Sequence, residues 1–123
     1  MRVQRFFMAL TAALIALLTL AACSPAPPKE AASISGVITT VTPGYGTLGS
    51  ILVEGPAGST SAYDKASVSI TASTTLLRKT TDGYEGTSFA DLDVGMSVDV
   101  WFTGPVAESY PVQATASALV VTK

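Results

Sequence analysis

The chain of 123 residues contains no histidine and only one cysteine, Cys23. Without histidine there is no Ser-His-Asp triad, no Cys-His pair and no histidine-rich metal site. One cysteine excludes both a CxxC redox pair and an internal disulfide framework. Charged side chains make up only 13% of the chain, and the formal net charge is −2. A chain of this length predicts a single small domain.

The N-terminus has the pattern of a bacterial lipoprotein signal peptide. Arg2 and Arg5 precede an uncharged, mostly apolar run over residues 6–20, which is short for a membrane span of about 20 residues. Leu-Ala-Ala then precedes Cys23 and resembles a lipobox. Small side chains there admit the signal peptidase, and the thiol accepts a diacylglyceryl group. We predict a signal peptide over residues 1–22 and lipid attachment at Cys23.

These features predict an exported protein that is anchored by lipid to the bacterial cell membrane. Two or three acyl chains anchor stably where a single chain does not. Ser24 stands where an aspartate is associated with inner-membrane retention, so an outer-membrane location in a Gram-negative cell is compatible with the sequence. The alternatives are an ordinary signal peptide with a free cysteine, or a retained membrane helix.

Residues 23–33 are predicted to form the lipidated cysteine and a flexible tether, because this stretch is rich in proline and alanine and lacks apolar periodicity. From residue 34 onward the pattern is typical of β-structure. Apolar alternation predicts strands over residues 34–42, 50–54, 66–73, 96–103 and 114–122. Residues 76–79 extend the third strand or form a short additional one.

A helical turn is expected between the third and fourth strands. Ser88 and Asp91 have the spacing of a capping box, and Gly95 is expected to end the turn. Residues 80–87 are polar and contain glycine, so no strand is predicted there. Gly104 and the proline after it are expected to end the fourth strand.

Five or six strands with one helical turn between strands 3 and 4 indicate an all-β, OB-like barrel over residues 34–123. A β-sandwich and an SH3-like barrel are the alternatives. Alternation predicts that Trp101 and Asp99 share the face opposite the interior. The side chains expected to point inward are Ile38, Val68, Ile70, Val98, Val100 and Phe102.

Residues 88–114 resemble the YobA-like family of small exported bacterial proteins of unknown function. The resemblance is carried by a hydrophobic strand that ends in Gly-Pro, followed by Glu-Ser-Tyr-Pro and a strand of small residues. A looser similarity extends upstream through residues 34–42 and 66–73. The resemblance implies an OB-like fold and an exported location, and it implies no catalytic or binding residues.

Neither a metal, nor a cofactor, nor nucleic acid is expected to bind. The acidic residues do not follow the spacing of a calcium loop, so they are interpreted as surface carboxylates. Without Arg2 and Arg5 the chain has 5 basic and 9 acidic residues, which disfavours phosphate backbones. The acidic residues considered are Asp82, Glu85, Asp91, Asp93 and Asp99.

Two aromatic residues are candidates for a partner contact. Trp101 lies on the outward face of its strand, and the alternative is that a loop or the helical turn covers it. Tyr110 lies in an acid-, hydroxyl- and aromatic-bearing loop over residues 108–111, where a cis peptide bond before proline is plausible. The alternative role of this loop is to hold the register of the last strand. Ser109 has no histidine to activate it as a nucleophile.

The sequence favours a non-catalytic binding or interaction module at the cell envelope, with an envelope protein or a glycan as its partner. We expect no enzymatic activity. The alternatives are a hydrolase that uses carboxylates alone and a structural accessory subunit of an envelope complex.

Overall fold

The computed structural model describes residues 25–44, 47–56 and 63–123, and the predicted signal peptide and Cys23 lie outside them. This described part is nearly all β, with one 3-10 turn at Phe89–Asp91. No helix in it is long and apolar enough to cross a lipid bilayer. The strands are β1 (Ile34–Pro43), β2 (Gly49–Glu54), β3 (Lys65–Ile70), β4 (Thr75–Thr80), β5 (Gly83–Gly86), β6 (Ser97–Ala107) and β7 (Val112–Val121).

Five of these strands close into a barrel. Around the ring the order is β1, β2, β3, β7, β6 and back to β1. β3 and β7 run parallel to each other, whereas the other four neighbouring pairs are antiparallel. The predicted all-β barrel is therefore confirmed, and two further strands lie outside the ring.

The two extra strands form a hairpin on the side of the barrel. β4 contains residues 76–79 and is a separate strand, which pairs parallel with β7. β5 lies within residues 80–87, where no strand is predicted, and it pairs antiparallel with β4. Arg78 and Glu85 face each other across this pair and form an ion pair. The sequence of β5 has a low intrinsic propensity for strand formation, so β5 is a strand because it pairs with β4.

Alternate side chains of the barrel strands form an interior cluster, which is the main hydrophobic core. Its buried members are Ile34, Ile38, Ile51, Val53, Ala66, Val68, Ile70, Leu92, Val98, Val100, Ala116, Leu119 and Val121. Five of the six residues predicted to point inward are among them. The sixth, Phe102, packs against the cluster but is only half-buried. The predicted register of β6 is therefore confirmed through Val100.

The helical turn lies between β3 and β6, as predicted, and closes one end of the barrel. Leu92 belongs to the interior cluster, and Phe89 packs against it. The capping detail is different from the prediction, because the Ser88 hydroxyl donates to the Asp91 carboxylate at 2.9 Å and makes no bond to the backbone. The turn ends at Leu92 rather than at Gly95.

β6 continues through Gly104 and Pro105, where its end was predicted. The pairing with β7 shifts register between Thr103 and Ala107, so the two breaker residues sit in an irregularity of the ladder. Gly104 has a φ of 70°, a left-handed conformation that glycine adopts without strain. A bulge also accommodates proline, because no ladder hydrogen bond is required from it.

A second, smaller apolar cluster lies on the outer face of β6 and β7, and we call it the outer cluster. Its buried members are Leu77, Trp101, Ala118 and Val120, with Ala32 and Tyr84 packed against them. The hairpin covers one side of this cluster. The other cover is an N-terminal segment, residues 30–33, which we call the strap.

Three hydrogen bonds attach the strap to β6. The Trp101 Nε1 donates to the Glu30 carbonyl oxygen at 2.9 Å. The Ser33 backbone N–H donates to the Val100 carbonyl at 2.8 Å, and the Ser33 Oγ accepts from the Phe102 N–H at 3.0 Å. The last four residues of the predicted tether thus lie against the barrel, directly before β1 begins.

Candidate functional site

Trp101, one of the two predicted partner contacts, is not a surface residue. Only 9% of its side-chain surface is exposed, and its indole nitrogen is already bonded to the strap. The interpretation of Trp101 as a partner contact is therefore wrong, and the alternative that it is covered is confirmed. Its cover is the strap and the hairpin rather than a loop or the helical turn, because the outward face of β6 has its own apolar layer.

Tyr110, the other candidate, is exposed. It lies in the β6–β7 loop (residues 108–111), and 73% of its surface is accessible to solvent. Its hydroxyl donates to the Asp64 Oδ2 at 3.3 Å, so the ring is tied to the segment that leads into β3. The Tyr110–Pro111 peptide bond is cis. Within the same loop the Ser109 Oγ donates to the Pro111 carbonyl at 2.8 Å.

A pair of aromatic rings lies beside this tyrosine. The ring centroids of Tyr63 and Phe102 are 5.5 Å apart, with an interplanar angle of 38°. Both rings are half-buried and pack against the interior cluster. The Asp64 carbonyl accepts from the Gly55 N–H at 2.8 Å, which holds this segment against the end of β2.

We call the surface formed by Tyr63, Asp64, Phe102 and the β6–β7 loop the tyrosine end. It lies at the end of the barrel where β2 finishes and β3 and β7 begin, and the helical turn closes the opposite end. The sequence points to Tyr110 but not to Tyr63 or Asp64. No local pattern could have found these two, because 46 residues separate Asp64 from Tyr110 and only the closed ring brings them together.

The lysine beside this end is already paired. Lys65 Nζ lies 3.3 Å from a carboxylate oxygen of Glu54, its cross-strand neighbour. Hydrogen bonds from Thr39 and then from Lys65 hold the pKa of Glu54 below its ordinary value of 4.5. Asp64 and Glu108 have no such cationic partner among the described residues, so the tyrosine end carries unneutralised negative charge.

The acidic residues considered as a cation site are held in separate places. Glu85 is paired with Arg78, Asp91 accepts from Ser88, and the Asp93 Oδ1 accepts from the Val94 N–H at 2.8 Å. In the part of the chain that the structure describes, no three carboxylate or thiol side chains are placed to hold one metal ion. These carboxylates act locally, on neighbouring strands and turns.

A shallow groove of about 330 Å³ lies on the outer surface of β1 and β6. Val37, Pro56 and Val98 are its apolar lining residues, and Asp99 is the charged one. Asp99 pairs across the strands with Ser35 and lies on the outward face of β6, as predicted. The groove shares no lining residue with the tyrosine end, and we call it the reference groove.

A comparison with known protein families gives a match to this chain. The family described as "Protein of unknown function (DUF3221)" matches residues 61–122, slightly more than half of the chain. The matched stretch contains β3 to β7 and all the residues of the tyrosine end. No curated protein and no solved structure matches the chain. The YobA-like resemblance stays a prediction.

Proposed function

The chain belongs to the DUF3221 family of proteins of unknown function, and we propose that it is a non-catalytic binding module anchored by lipid at the bacterial cell envelope. The observation that supports this proposal is the state of Tyr110. Its ring is 73% exposed, yet its hydroxyl is bonded to Asp64 on another segment. A large side chain that is positioned in this way is preorganised for contact with a ligand.

Aromatic residues with one polar group are well suited to binding surfaces. Tyrosine offers a large apolar ring at a low cost in conformational entropy, and it is enriched among the residues that dominate binding energies. The Asp64 bond reduces that cost further, because it restricts the ring before any ligand arrives. Tyr63, which precedes Asp64 in the chain, packs against Phe102, and this contact helps to fix the segment that carries Asp64.

The architecture supports the same proposal. We regard the barrel as OB-like, because five strands form the ring and a helical turn between its third and fourth strands closes one end. Barrels of this kind bind ligands with their loops and the adjoining strand face. This similarity in fold suggests where a ligand binds but not which ligand.

The proposed anchor is Cys23, which lies outside the described residues. The strap begins at Glu30, so the segment between Cys23 and the barrel spans at most about 25 Å even when fully extended. A tether this short holds the barrel close to the lipid surface. It would raise the effective concentration of a weak binding site for ligands at that surface.

Co-sedimentation with cell-envelope fragments tests the binding proposal. The envelope fragments are first stripped of lipid with detergent, so that the proposed acyl anchor cannot carry the protein into the pellet. The full chain is purified in the same detergent and compared with Tyr110→Ala and with Val94→Ala, which alters another exposed apolar residue in a different segment. We expect the wild type and Val94→Ala to sediment equally and Tyr110→Ala to lose about nine-tenths of its binding. Equal sedimentation of Tyr110→Ala, at unchanged far-UV circular dichroism, would overturn the proposal.

The same samples distinguish binding from catalysis. Release of reducing sugars or of peptides from the fragments is measured over time, and we expect none. Turnover that disappears when one carboxylate is replaced by its amide would establish the alternative, a carboxylate-dependent hydrolase.

Cys23→Ser tests the anchor. We expect this variant to lose lipidation and signal-peptide processing, since only the thiol accepts the diacylglyceryl group. Labelling with a radioactive or clickable fatty acid and membrane fractionation are the measurements. Normal processing and membrane retention of Cys23→Ser would show that the anchor is elsewhere.

A further inference from the structure

We propose that the tyrosine end binds a neutral glycan, with a sugar ring stacked on Tyr110 and sugar hydroxyls donating to Asp64. This inference rests on the proposed function and names its ligand class. Four properties of the tyrosine end support it: the exposed ring, the hydrogen-bond acceptors, the sign of the charge and the size of the surface.

The ring is available for stacking. The contact that holds the ring is made by its hydroxyl, which donates to Asp64, and 73% of the residue's surface is exposed, so most of the ring stays accessible. The face of an aromatic ring carries partial negative charge, which attracts groups of partial positive charge. The C–H bonds on one face of a pyranose are such groups, and a pyranose is close to the tyrosine ring in size.

The hydrogen-bonding groups match sugar hydroxyls. An ionised carboxylate has about four lone-pair sites, and the Tyr110 hydroxyl occupies one site on Asp64. The remaining sites accept hydrogen bonds, and those to a charged acceptor are stronger than neutral ones. The Ser109 hydroxyl donates to Pro111, so its oxygen also remains able to accept.

The charge disfavours an anionic ligand. Lys65 is committed to Glu54, whereas Asp64 and Glu108 are exposed acids in the same region. A phosphate or uronate polymer would bring like charges together at this end, which is unfavourable. A neutral sugar chain meets no such repulsion.

The size of the surface favours a glycan over a protein. A stable protein interface buries about 800 Å² on each partner and has an apolar centre. Among the described residues the large exposed apolar side chains are Val37, Leu48, Val94 and Tyr110, which belong to four different segments. At the tyrosine end, the single exposed ring provides a platform for one or two sugar units.

Isothermal titration with defined probes tests this inference. The full chain in detergent is titrated with neutral oligosaccharides of N-acetylglucosamine and of glucose, and with poly(glycerol phosphate) as the anionic probe. We expect one of the neutral probes to bind and the anionic polymer to bind at least about tenfold more weakly.

Four variants separate the contributions of the Tyr110 ring, the Tyr110 hydroxyl and the Asp64 charge to glycan binding. Tyr110→Ala is expected to weaken glycan binding by about tenfold, and Asp64→Asn by about fivefold. Tyr110→Phe keeps the ring and is expected to stay within about threefold of the wild type. Asp99→Asn removes a carboxylate from the reference groove and is expected to change nothing. Unaltered binding in Tyr110→Ala, or stronger binding of the anionic polymer, would overturn the inference.

The two proposals fail in distinguishable ways. If envelope fragments bind in a Tyr110-dependent manner, protease treatment of the fragments abolishes binding and neither neutral probe binds, then the ligand is a protein. The glycan inference is then wrong and the binding module stands. If the fragments bind without any contribution from Tyr110, both proposals are wrong.

Discussion

The interior cluster and the outer cluster lie on opposite faces of β6 and β7 and are closed in different ways. A ring of strands whose ladders return to their starting point encloses the interior. The outer cluster is covered by a two-stranded hairpin and by a strap with three hydrogen bonds. Both faces of β6 and β7 are buried, but the two covers differ in their stability against local opening. A cover that is held by few hydrogen bonds can open while the rest of the fold stays intact.

The sharpest test removes the same atoms from both clusters. Leu119 and Leu77 are both almost fully buried, the first in the interior cluster and the second on hairpin strand β4, in the outer cluster. We expect Leu119→Ala to lower the free energy of unfolding by about 4 kcal/mol and Leu77→Ala by about 2 kcal/mol, because the looser cover collapses more readily around a cavity. Urea denaturation followed by far-UV circular dichroism measures both. A larger decrease in the free energy of unfolding for Leu77→Ala than for Leu119→Ala would contradict the view that the outer cluster is the less tightly closed of the two.

Phe102 tests the edge of the interior cluster. Its ring is half-buried and in contact with Tyr63, so Phe102→Ala is expected to cost about 2 kcal/mol, less than a fully buried aromatic residue. Asp99→Ala, on the outward face of the same strand, should cost less than about 0.5 kcal/mol. Chemical denaturation that ranks these two variants in reverse would contradict the register of β6.

Ser33→Ala tests the strap alone. The change removes the acceptor of the Phe102 N–H and is expected to cost about 1 kcal/mol. Trp101 is the chain's single tryptophan, so its fluorescence reports on the outer cluster directly. We expect its emission in this variant to shift to the red at lower urea concentrations than the loss of far-UV signal. Coincident transitions would mean that the two clusters unfold as one unit.

The smallest expected change in stability is that of the variant Glu54→Gln. The pKa of Glu54 is lowered in the folded chain, so the Thr39 and Lys65 interactions stabilise the fold above pH 4.5. This contribution is lost as the pH falls through the lowered pKa. Glu54→Gln is expected to be slightly less stable than the wild type at pH 7 and equal to it in strong acid. Tm measured across pH 2–7 checks this, and a constant difference would contradict it.

The alternation of apolar residues was sufficient to predict the barrel strands. In β3, for example, Val68 and Ile70 are buried whereas Ser67 and Ser69 are not, so the alternation of burial can be read directly from the sequence. β5 escaped prediction because Gly83 and Gly86 bound it and its pairing comes entirely from β4. The continuation of β6 beyond Gly104 was also missed, since a bulge can absorb the residues that normally end a strand.

The candidate site was only half predictable. Tyr110 stands out as an aromatic residue in a polar loop, and the structure leaves it exposed. The burial of Trp101 depends on a strap whose composition is typical of a flexible linker. Asp64 could not be connected with Tyr110, because their contact exists only after β3 and β7 have paired.

The position of β7 in the sheet also has a consequence for how the protein is made. β7 is the last strand in the chain, and it pairs with β3, β4 and β6. Until residues 112–121 have been synthesised, the ring cannot close and the hairpin has no strand to join. A growing chain therefore stays open, with the three pairings of β7 deferred to the end. We propose that the protein is exported. Late closure of the barrel would keep the chain unfolded, and therefore competent for translocation, while its N-terminus engages the secretion machinery.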